Sequence, residues 1–152
     1  IYVDVDIFRR NLYKNDSYIS ELKKSIPKLK KYDEINSLIL NKYIYSNEEY
    51  MKRYKEILYK YLFNYLESFD DKTIIVDWAL ILNDNLQDRF DKIIYVDSSE
   101  EIRLERLSKS DLSKEDILKR FALQKIDNLE KYHSDNFLII NNDNGYDLNK
   151  IN

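Results

Sequence analysis

Ile1-Tyr2-Val3-Asp4-Val5-Asp6 opens the chain as a short β-branched run that ends in two carboxylates. Such a run is typical of a buried parallel strand. The carboxyl ends of parallel strands border the crevice in which open α/β sheets bind their ligands. The opening residues therefore predict a strand over Ile1–Val5 that brings Asp4 and Asp6 to a ligand site. Because the two acids lie two residues apart, we expect them to share one face of the extended strand.

Three further apolar segments have the same character, and helical patterns separate them. These segments predict strands over Thr73–Asp77, Lys92–Asp97 and Phe137–Asn141. Strands that alternate with helices favour right-handed crossovers and a parallel sheet between two helical layers. The fold class that we predict is therefore α/β.

The helical segments begin with recognisable N-terminal signals. Asn47 is a candidate N-cap, and apolar residues recur after it with the helical period as far as Tyr65. Ser98 with Glu101, and Ser113 with Asp116, resemble capping boxes. The predicted helices cover residues 16–31, with Pro27 interrupting or starting a helix, and residues 32–45, 48–65, 99–109 and 114–132.

Composition narrows the class of protein. The 152 residues fit one domain, and 43% apolar with 35% charged residues is a globular balance. A net charge of −3 argues against nucleic-acid binding. No apolar run is long enough to span a membrane. The absence of cysteine fits the reducing environment of the cytoplasm. Gly145 is the single glycine, so a glycine-rich phosphate loop does not lie within these residues.

Five motifs follow one another along the chain. They are Val3-Asp-Val-Asp-Ile7; Tyr45-Ser-Asn-Glu48; Ile93-Ile-Tyr-Val-Asp97 with Leu104-Glu-Arg-Leu107; Arg120-Phe-Ala-Leu-Gln124; and Asp135 with Phe137–Asn142 and Gly145. In their order and spacing, these motifs resemble the dephospho-coenzyme A kinase family of P-loop nucleotide kinases. The resemblance covers almost the whole chain.

This resemblance implies a fold and an activity. The fold is a three-layer α/β/α parallel sheet of P-loop kinase type in a single domain over 1–152, with a helical substrate-side insertion at about 8–70 and a small lid at about 103–120. We expect the first strand, the phosphate loop and the first helix to precede Ile1. The implied reaction transfers a phosphoryl group from ATP, with Mg²⁺, to the ribose 3′-hydroxyl of dephospho-coenzyme A, the last step of coenzyme A biosynthesis.

The family's motifs also imply roles for the acids. Asp6 matches the proposed base for the acceptor hydroxyl, and Asp4 would hold Mg²⁺ through water or help to position Asp6. The alternative from the residues alone is that both acids end a strand and cap the following helix.

Phosphate and nucleotide contacts are implied for residues later in the chain. Arg106 matches a lid arginine of the family and would bind phosphates, and Asn141 and Asn142 would flank the adenine of ATP. Lys109, three residues after Arg106 on the same flank of the helix, and Arg120, one helix later, are further candidates for the phosphates. The alternatives are a solvated charged helix face for the cations and an ordinary turn for the asparagines.

The chain departs from the family pattern near the chemistry. Tyr59 and Lys60 replace a His-Pro pair, Trp78-Ala-Leu80 replaces Pro-Leu-Leu, and Ser110 replaces the second lid arginine. These changes leave two alternatives open: another nucleoside or nucleotide kinase of the same fold, and a catalytically inactive binding protein.

Overall fold

The computed structural model describes residues 1–109, 113–126, 129–132 and 134–145, and for residues 114, 119, 120, 123 and 124 it describes the backbone alone. Within these residues it contains six α-helices and four short β-strands. The chain divides into two compact units, Ile1–Trp78 and Ala79–Asn152. Helices alternate with parallel strands in both units, which confirms the predicted α/β class.

The first unit places four helices between two strands. Its elements are β1 (Tyr2–Asp4), α1 (Val5–Leu12), α2 (Asp16–Ser25), α3 (Ser37–Ile44), α4 (Glu48–Glu67) and β2 (Ile75–Asp77). The strands β1 and β2 pair in parallel, with Tyr2 opposite Ile75 and Asp4 opposite Asp77. The two strands therefore end side by side, each in an aspartate.

Asparagine N-caps set the starts of three helices in this unit. The side chains of Asn15, Asn36 and Asn47 each accept a hydrogen bond from the backbone N–H three residues later. The predicted helix over 32–45 was therefore too long, because Asn36 fills the N-cap position and α3 begins at Ser37.

Pro27 separates two helical segments, as its position in the sequence predicted. The helix α2 ends at Ser25, and a 3₁₀-helix runs over Pro27–Lys31. Proline has no backbone N–H and clashes with the preceding turn, so it starts a helical segment more readily than it continues one.

The core of the first unit lies among its helices. The largest fully buried side chains are Tyr18, Leu22, Ile26, Leu29, Leu40 and Leu62. On α4 the buried residues follow the helical period that the sequence predicted, at Tyr54, Ile57, Leu58, Leu62 and Leu66. Each fully buried aliphatic side chain contributes about 1.5–3 kcal/mol relative to its exposed state, so this packing determines how α1 to α4 are arranged.

The second unit contains the other strand pair. Its elements are β3 (Ile93–Asp97), α5 (Glu100–Leu107), α6 (Lys114–Gln124) and β4 (Phe137–Asn141). The strands β3 and β4 are parallel, with Ile93 opposite Phe137 and Asp97 opposite Asn141. As in the first unit, both strands end in polar side chains at one edge.

Two helix predictions in the second unit were wrong. The helix predicted over 114–132 ends at Gln124, because the backbone of Lys125 is extended, with ψ at 127°. The capping box predicted at Ser98 does not form, because the N-cap is Ser99 and its own side chain makes no capping bond. At α6 the predicted cap is confirmed, since the Ser113 hydroxyl accepts the backbone N–H of Asp116 at 3.1 Å.

The described strands pair two by two, as β1–β2 and β3–β4. Parallel pairing is thus confirmed, whereas a single three-layer sheet and a single domain over 1–152 stay predictions. Among the helices of the described residues, none is both long and apolar enough to cross a membrane.

Candidate functional site

The carboxyl edge of the first strand pair carries three aspartates. Asp4 ends β1 opposite Asp77 at the end of β2, and Asp6 follows in the first turn of α1. Sequence reasoning did not select Asp77, although its position after the apolar run Ile74-Ile-Val76 offered the same strand-end signal. Its pairing with Asp4 depends on the strand register, which the sequence does not reveal.

Asp4 caps a helix. Its Oδ1 accepts the backbone N–H of Ile7 at 2.9 Å, so the strand ends at Asp4 and α1 begins at Val5. The expectation that Asp4 and Asp6 share one face of an extended strand was therefore wrong. The physical reason is the N-cap: a carboxylate that satisfies an unpaired N–H allows the backbone to turn into a helix at once.

Asp6 extends from that first turn into solvent. Its side chain is 81% exposed, and its Oδ1 lies 3.3 Å from Nη2 of Arg9, one helical turn later. Asp77, in contrast, accepts a hydrogen bond of 2.7 Å from the hydroxyl of Tyr2, and this bond is the main reason that the pKa of Tyr2 is raised. Of these three acids, Asp4 and Asp77 have hydrogen-bond donors within the sheet and helix, while Asp6 faces outward.

A group of tyrosines surrounds Arg9. Burial alone would lower the pKa of its guanidinium, but the nearby Tyr54, the hydrogen bond to it and the charge of Asp6 outweigh burial and raise that pKa. Burial also raises the pKa of Tyr54, and it raises the pKa of Tyr13 to about 12. These tyrosines are therefore neutral near pH 7, and the arginine keeps its positive charge.

In the second unit, Asn141 and Asn142 lie at the carboxyl end of β4. Asn141 is its last residue, and its side-chain oxygen accepts the backbone N–H of Asp143 at 3.0 Å. The backbone N–H of Asn142 donates to the carbonyl of Asp97 at 2.8 Å. Gly145 then has φ at +80°, a conformation that favours glycine. The turn predicted from composition is present, and it sits at the edge where β3 also ends.

Arg106, in the last turn of α5, reaches this turn. Its Nη2 donates to the carbonyl oxygens of Asn142 at 2.6 Å and Asp143 at 3.2 Å. Two of the predicted nucleotide-binding positions, Arg106 and Asn142, are thus brought together. Lys109 lies just beyond the end of α5 and is exposed.

Part of the predicted lid is outside the described residues. Arg120 belongs to α6, but its side chain is not among those described, and the connection 110–112, with Ser110, also lies outside.

Asp143 is a polar residue that sequence reasoning missed. Its Oδ1 accepts the backbone N–H of Ser99 at 2.7 Å and so satisfies the N–H of the residue at the N-cap of α5. This hydrogen bond is the largest cause of the lowered pKa of Asp143. No local signal could have identified it, because the two partners are 44 residues apart in the chain.

Two cavities lie away from these residues. A groove of about 460 Å³ runs along α3 and α4, where Tyr45, Met51 and Tyr59 line it. A second cavity, of about 650 Å³, is lined by the first residues of β3 and β4, Ile93 and Phe137. None of the predicted site residues is among the described residues that line these cavities, so each strand edge is a candidate site by itself.

The described residues contain no group of three or more acidic or histidine side chains placed to hold a metal ion. Mg²⁺ commonly binds through only one or two protein carboxylates together with substrate phosphates. The strand register places the two carboxylate residues Asp4 and Asp77 opposite each other at one strand edge.

Two comparisons with known proteins bear on this site. A comparison with the curated proteins finds no match. A family model described as dephospho-CoA kinase matches residues 1–147, which is nearly the whole chain. The chain therefore belongs to the dephospho-CoA kinase family, and it is a kinase that uses ATP to phosphorylate dephospho-CoA in the last step of coenzyme A biosynthesis.

Proposed function

We propose that Asp6 orients the acceptor hydroxyl of dephospho-CoA and takes its proton during phosphoryl transfer. The observation that supports this role is the 81% exposure of the Asp6 side chain, directly after the end of β1. A general base must come within hydrogen-bond distance of the hydroxyl, and the exposure of this carboxylate leaves room for that approach. The acceptor hydroxyl that we propose is the ribose 3′-hydroxyl, as the family's motifs imply.

For Asp4 we propose the positioning role. Its Oδ1 is bound to the backbone of Ile7, so it holds the first turn of α1 and thereby the place from which Asp6 extends. This role follows from the N-cap geometry and needs no contact between Asp4 and the substrate.

Mg²⁺ is the metal ion that we propose for the reaction, and Asp4 and Asp77 are the carboxylates that would hold it. Bound Mg²⁺ neutralises charge on the phosphates during transfer. The proposed role of Asp6, which lies in the first turn of α1, does not depend on which carboxylates hold Mg²⁺.

The phosphates and the adenine of ATP are proposed to bind residues of the second unit. Arg106, Lys109 and Arg120 would contribute positive charge to the phosphates, and Asn141 and Asn142 would flank the adenine. The two carbonyl contacts of Arg106 use one guanidinium nitrogen, and an arginine carries five N–H donors in all. An arginine held in this way is already oriented when a phosphate arrives, which lowers the entropy cost of binding.

The wider fold that we propose is the three-layer P-loop kinase sheet, with the acceptor side at about 8–70 and the lid at about 103–120. Parallel strand pairs with helices between the strands support it. For the location of the protein, the absence of cysteine supports the cytoplasm.

Steady-state transfer from ATP to dephospho-CoA by the full-length protein tests the role of Asp6. We expect Asp6→Asn to lower kcat by roughly 10²–10⁴-fold, the usual loss when a general base is removed. The KM for ATP should stay near its wild-type value, because the proposed contacts of ATP lie in the second unit. Since Asp6 is exposed, the melting temperature should change little.

Asp70→Asn is the matched control, because Asp70 is an exposed aspartate of the same unit and is outside the proposed site. It should keep wild-type kcat. If Asp6→Asn also turned over at a near-normal rate, Asp6 would have no place in the mechanism.

A further inference from the structure

The ion pair between Asp6 and Arg9 joins two residues with different surroundings. The Asp6 side chain is 81% exposed, whereas that of Arg9 is 33% exposed, and Nη2 of Arg9 lies 3.3 Å from Oδ1 of Asp6. An ion pair between two exposed side chains is worth little, because both must be ordered to form it. Here one partner is already largely enclosed by protein.

The enclosing side chain is Tyr54 of α4. It is 6% exposed and belongs to the main core cluster of the first unit, together with Ile57 and Leu58. The nearby Tyr54 favours the charged form of the Arg9 guanidinium and helps to raise its pKa. A series of contacts therefore leads from the helical core, through Tyr54 and Arg9, to the carboxylate of Asp6.

Tyr13 and Tyr18 add to the enclosure. Both lie in or against the same core cluster, and both hydroxyls are buried without a hydrogen-bond partner among the described residues. Two neutral hydroxyls in this region provide no anion that competes with Asp6 for the charge of Arg9. Asp6 is the residue that forms a salt bridge with Arg9 in the described structure.

We infer that Arg9 is a positioning residue for phosphoryl transfer: held by the buried Tyr54, it fixes the carboxylate of Asp6 in the orientation that meets the acceptor hydroxyl. The contact engages Oδ1 of Asp6 and leaves Oδ2 for that hydroxyl. The inference rests on the proposed role of Asp6. It extends that role to Arg9 and Tyr54, neither of which lies in a motif that suggested the family's chemistry.

Orientation of a reacting group has a large effect on rate, since a misplacement of about 1 Å can cost on the order of a hundredfold. An exposed aspartate on a helix surface samples several rotamers, and each unproductive rotamer lowers the fraction of molecules ready to react. A planar guanidinium with fixed donors restricts that sampling better than a lysine ammonium does. This difference makes the inference testable with a conservative variant.

Kinetics of Arg9→Gln, Arg9→Lys and Tyr54→Phe in the full-length protein test the inference. We expect Arg9→Gln to lower kcat on the order of tenfold or more while the KM for ATP is unchanged, because only the orientation of Asp6 is affected. Arg9→Lys should restore part of the loss. Tyr54→Phe should lower kcat in the same direction by a smaller factor, because Arg9 would lose one of its two anchors.

Arg53→Gln is the matched control. Arg53 also forms an ion pair one turn away on a helix of the same unit, with Glu49 at 2.9 Å, and both partners lie on α4 rather than at the strand edge. It should keep wild-type kcat. Unfolding curves of all variants show whether a loss of kcat comes from a loss of folded protein.

A double-mutant comparison with Asp6 distinguishes a positioning role of Arg9 from a general stabilising role. Asp6→Glu moves the carboxylate by one methylene, so Arg9→Gln should cost clearly less in that background than in the wild type. An equal cost in both backgrounds, or a kcat of Arg9→Gln within twofold of wild type, would overturn the inference. If Asp6→Asn were fully active, the proposed role of Asp6 as the base would be wrong. If Asp6→Asn were inactive and Arg9→Gln had a normal kcat, only the proposed role of Arg9 would be wrong.

Discussion

The carboxylate of Asp143 accepts a hydrogen bond of 2.7 Å from the backbone N–H of Ser99, the N-cap residue of α5. The turn after β4 thereby caps the helix that follows β3. Arg106, near the other end of α5, donates to the carbonyls of Asn142 and Asp143 in the same turn. Contacts at both ends of α5 therefore hold the turn that carries the proposed adenine-binding residues.

This capping bond predicts an acid-dependent stability. Because the pKa of Asp143 is lowered in the folded protein, its contribution is complete above its ordinary value of 3.8 and is lost as the pH falls through the lower folded value. We expect the free energy of unfolding of the wild type to exceed that of Asp143→Asn at about pH 6, and the difference to shrink towards about pH 3. Denaturant unfolding at several pH values measures it.

Asp91→Asn, an exposed aspartate of the same unit, is the control for that series. The difference in free energy of unfolding between the wild type and Asp91→Asn should not shrink in this way as the pH falls. A gap between wild type and Asp143→Asn that widened on acidification would contradict the capping role.

Arg106→Gln tests the phosphate site. Hydrogen bonds to charged groups contribute about 1.5–3 kcal/mol, so we expect the KM for ATP to rise on the order of tenfold or more. The KM for dephospho-CoA should change much less, because the residues proposed for the acceptor lie in the first unit. Initial rates at varied concentrations of each substrate separate the two effects.

Lys92→Gln removes an exposed cation at the start of β3 and is the control for non-specific electrostatic attraction of ATP. An equal rise of the KM for ATP in Lys92→Gln and Arg106→Gln would mean that Arg106 makes no specific contact with ATP.

The helical core predicts a large difference between two leucines. Leu22 is fully buried in α2, whereas Leu38 at the start of α3 is 80% exposed. Leu22→Ala should lower the free energy of unfolding by about 2–5 kcal/mol, because it removes buried methyl groups and leaves a cavity. Leu38→Ala should change it by less than about 0.5 kcal/mol. Similar losses in the two variants would show that this core does not govern stability.

The N-cap of α4 predicts a smaller loss. The Asn47 side chain accepts the backbone N–H of Tyr50 at 2.9 Å, so Asn47→Ala should cost about 1 kcal/mol of stability. Asn47→Asp should retain most of it, since a carboxylate also caps. Asn64→Ala, at an exposed position inside the same helix, should be neutral or slightly stabilising, because alanine favours helix interiors. Chemical denaturation of the three variants distinguishes the loss of the N-cap from the general effect of replacing asparagine in this helix.

Sequence reasoning predicted the parts of the fold whose signals are local. The capping asparagine and the apolar period of α4 are confirmed, and strands appear in all four predicted segments. The family suggested by the collinear motifs is also confirmed. The errors came at element boundaries: the first strand was expected to extend to Val5, but the Asp4 carboxylate caps α1, which begins at Val5.

The site residues were harder to predict from the sequence. Asp6 was selected for its place after a strand, but its contact with Arg9 appears only once Val5–Leu12 is known to be helical, because a helix brings residues three apart together. Asp77 required the register of β2 against β1. Asp143 required β3 and β4 to be neighbours.

The sequence by itself determined the alternation of strands and helices, several helix starts and the family, because these depend on the order of residues and on interactions a few positions apart. The tertiary structure alone decided which polar residues become neighbours: Asp4 lies opposite Asp77 in the strand register, Arg9 lies near Tyr54, and Asp143 is hydrogen-bonded to Ser99. Such pairs depend on strand register and on helix packing around a shared core. Those are collective results of burying apolar surface, and no local pattern in the chain encodes them.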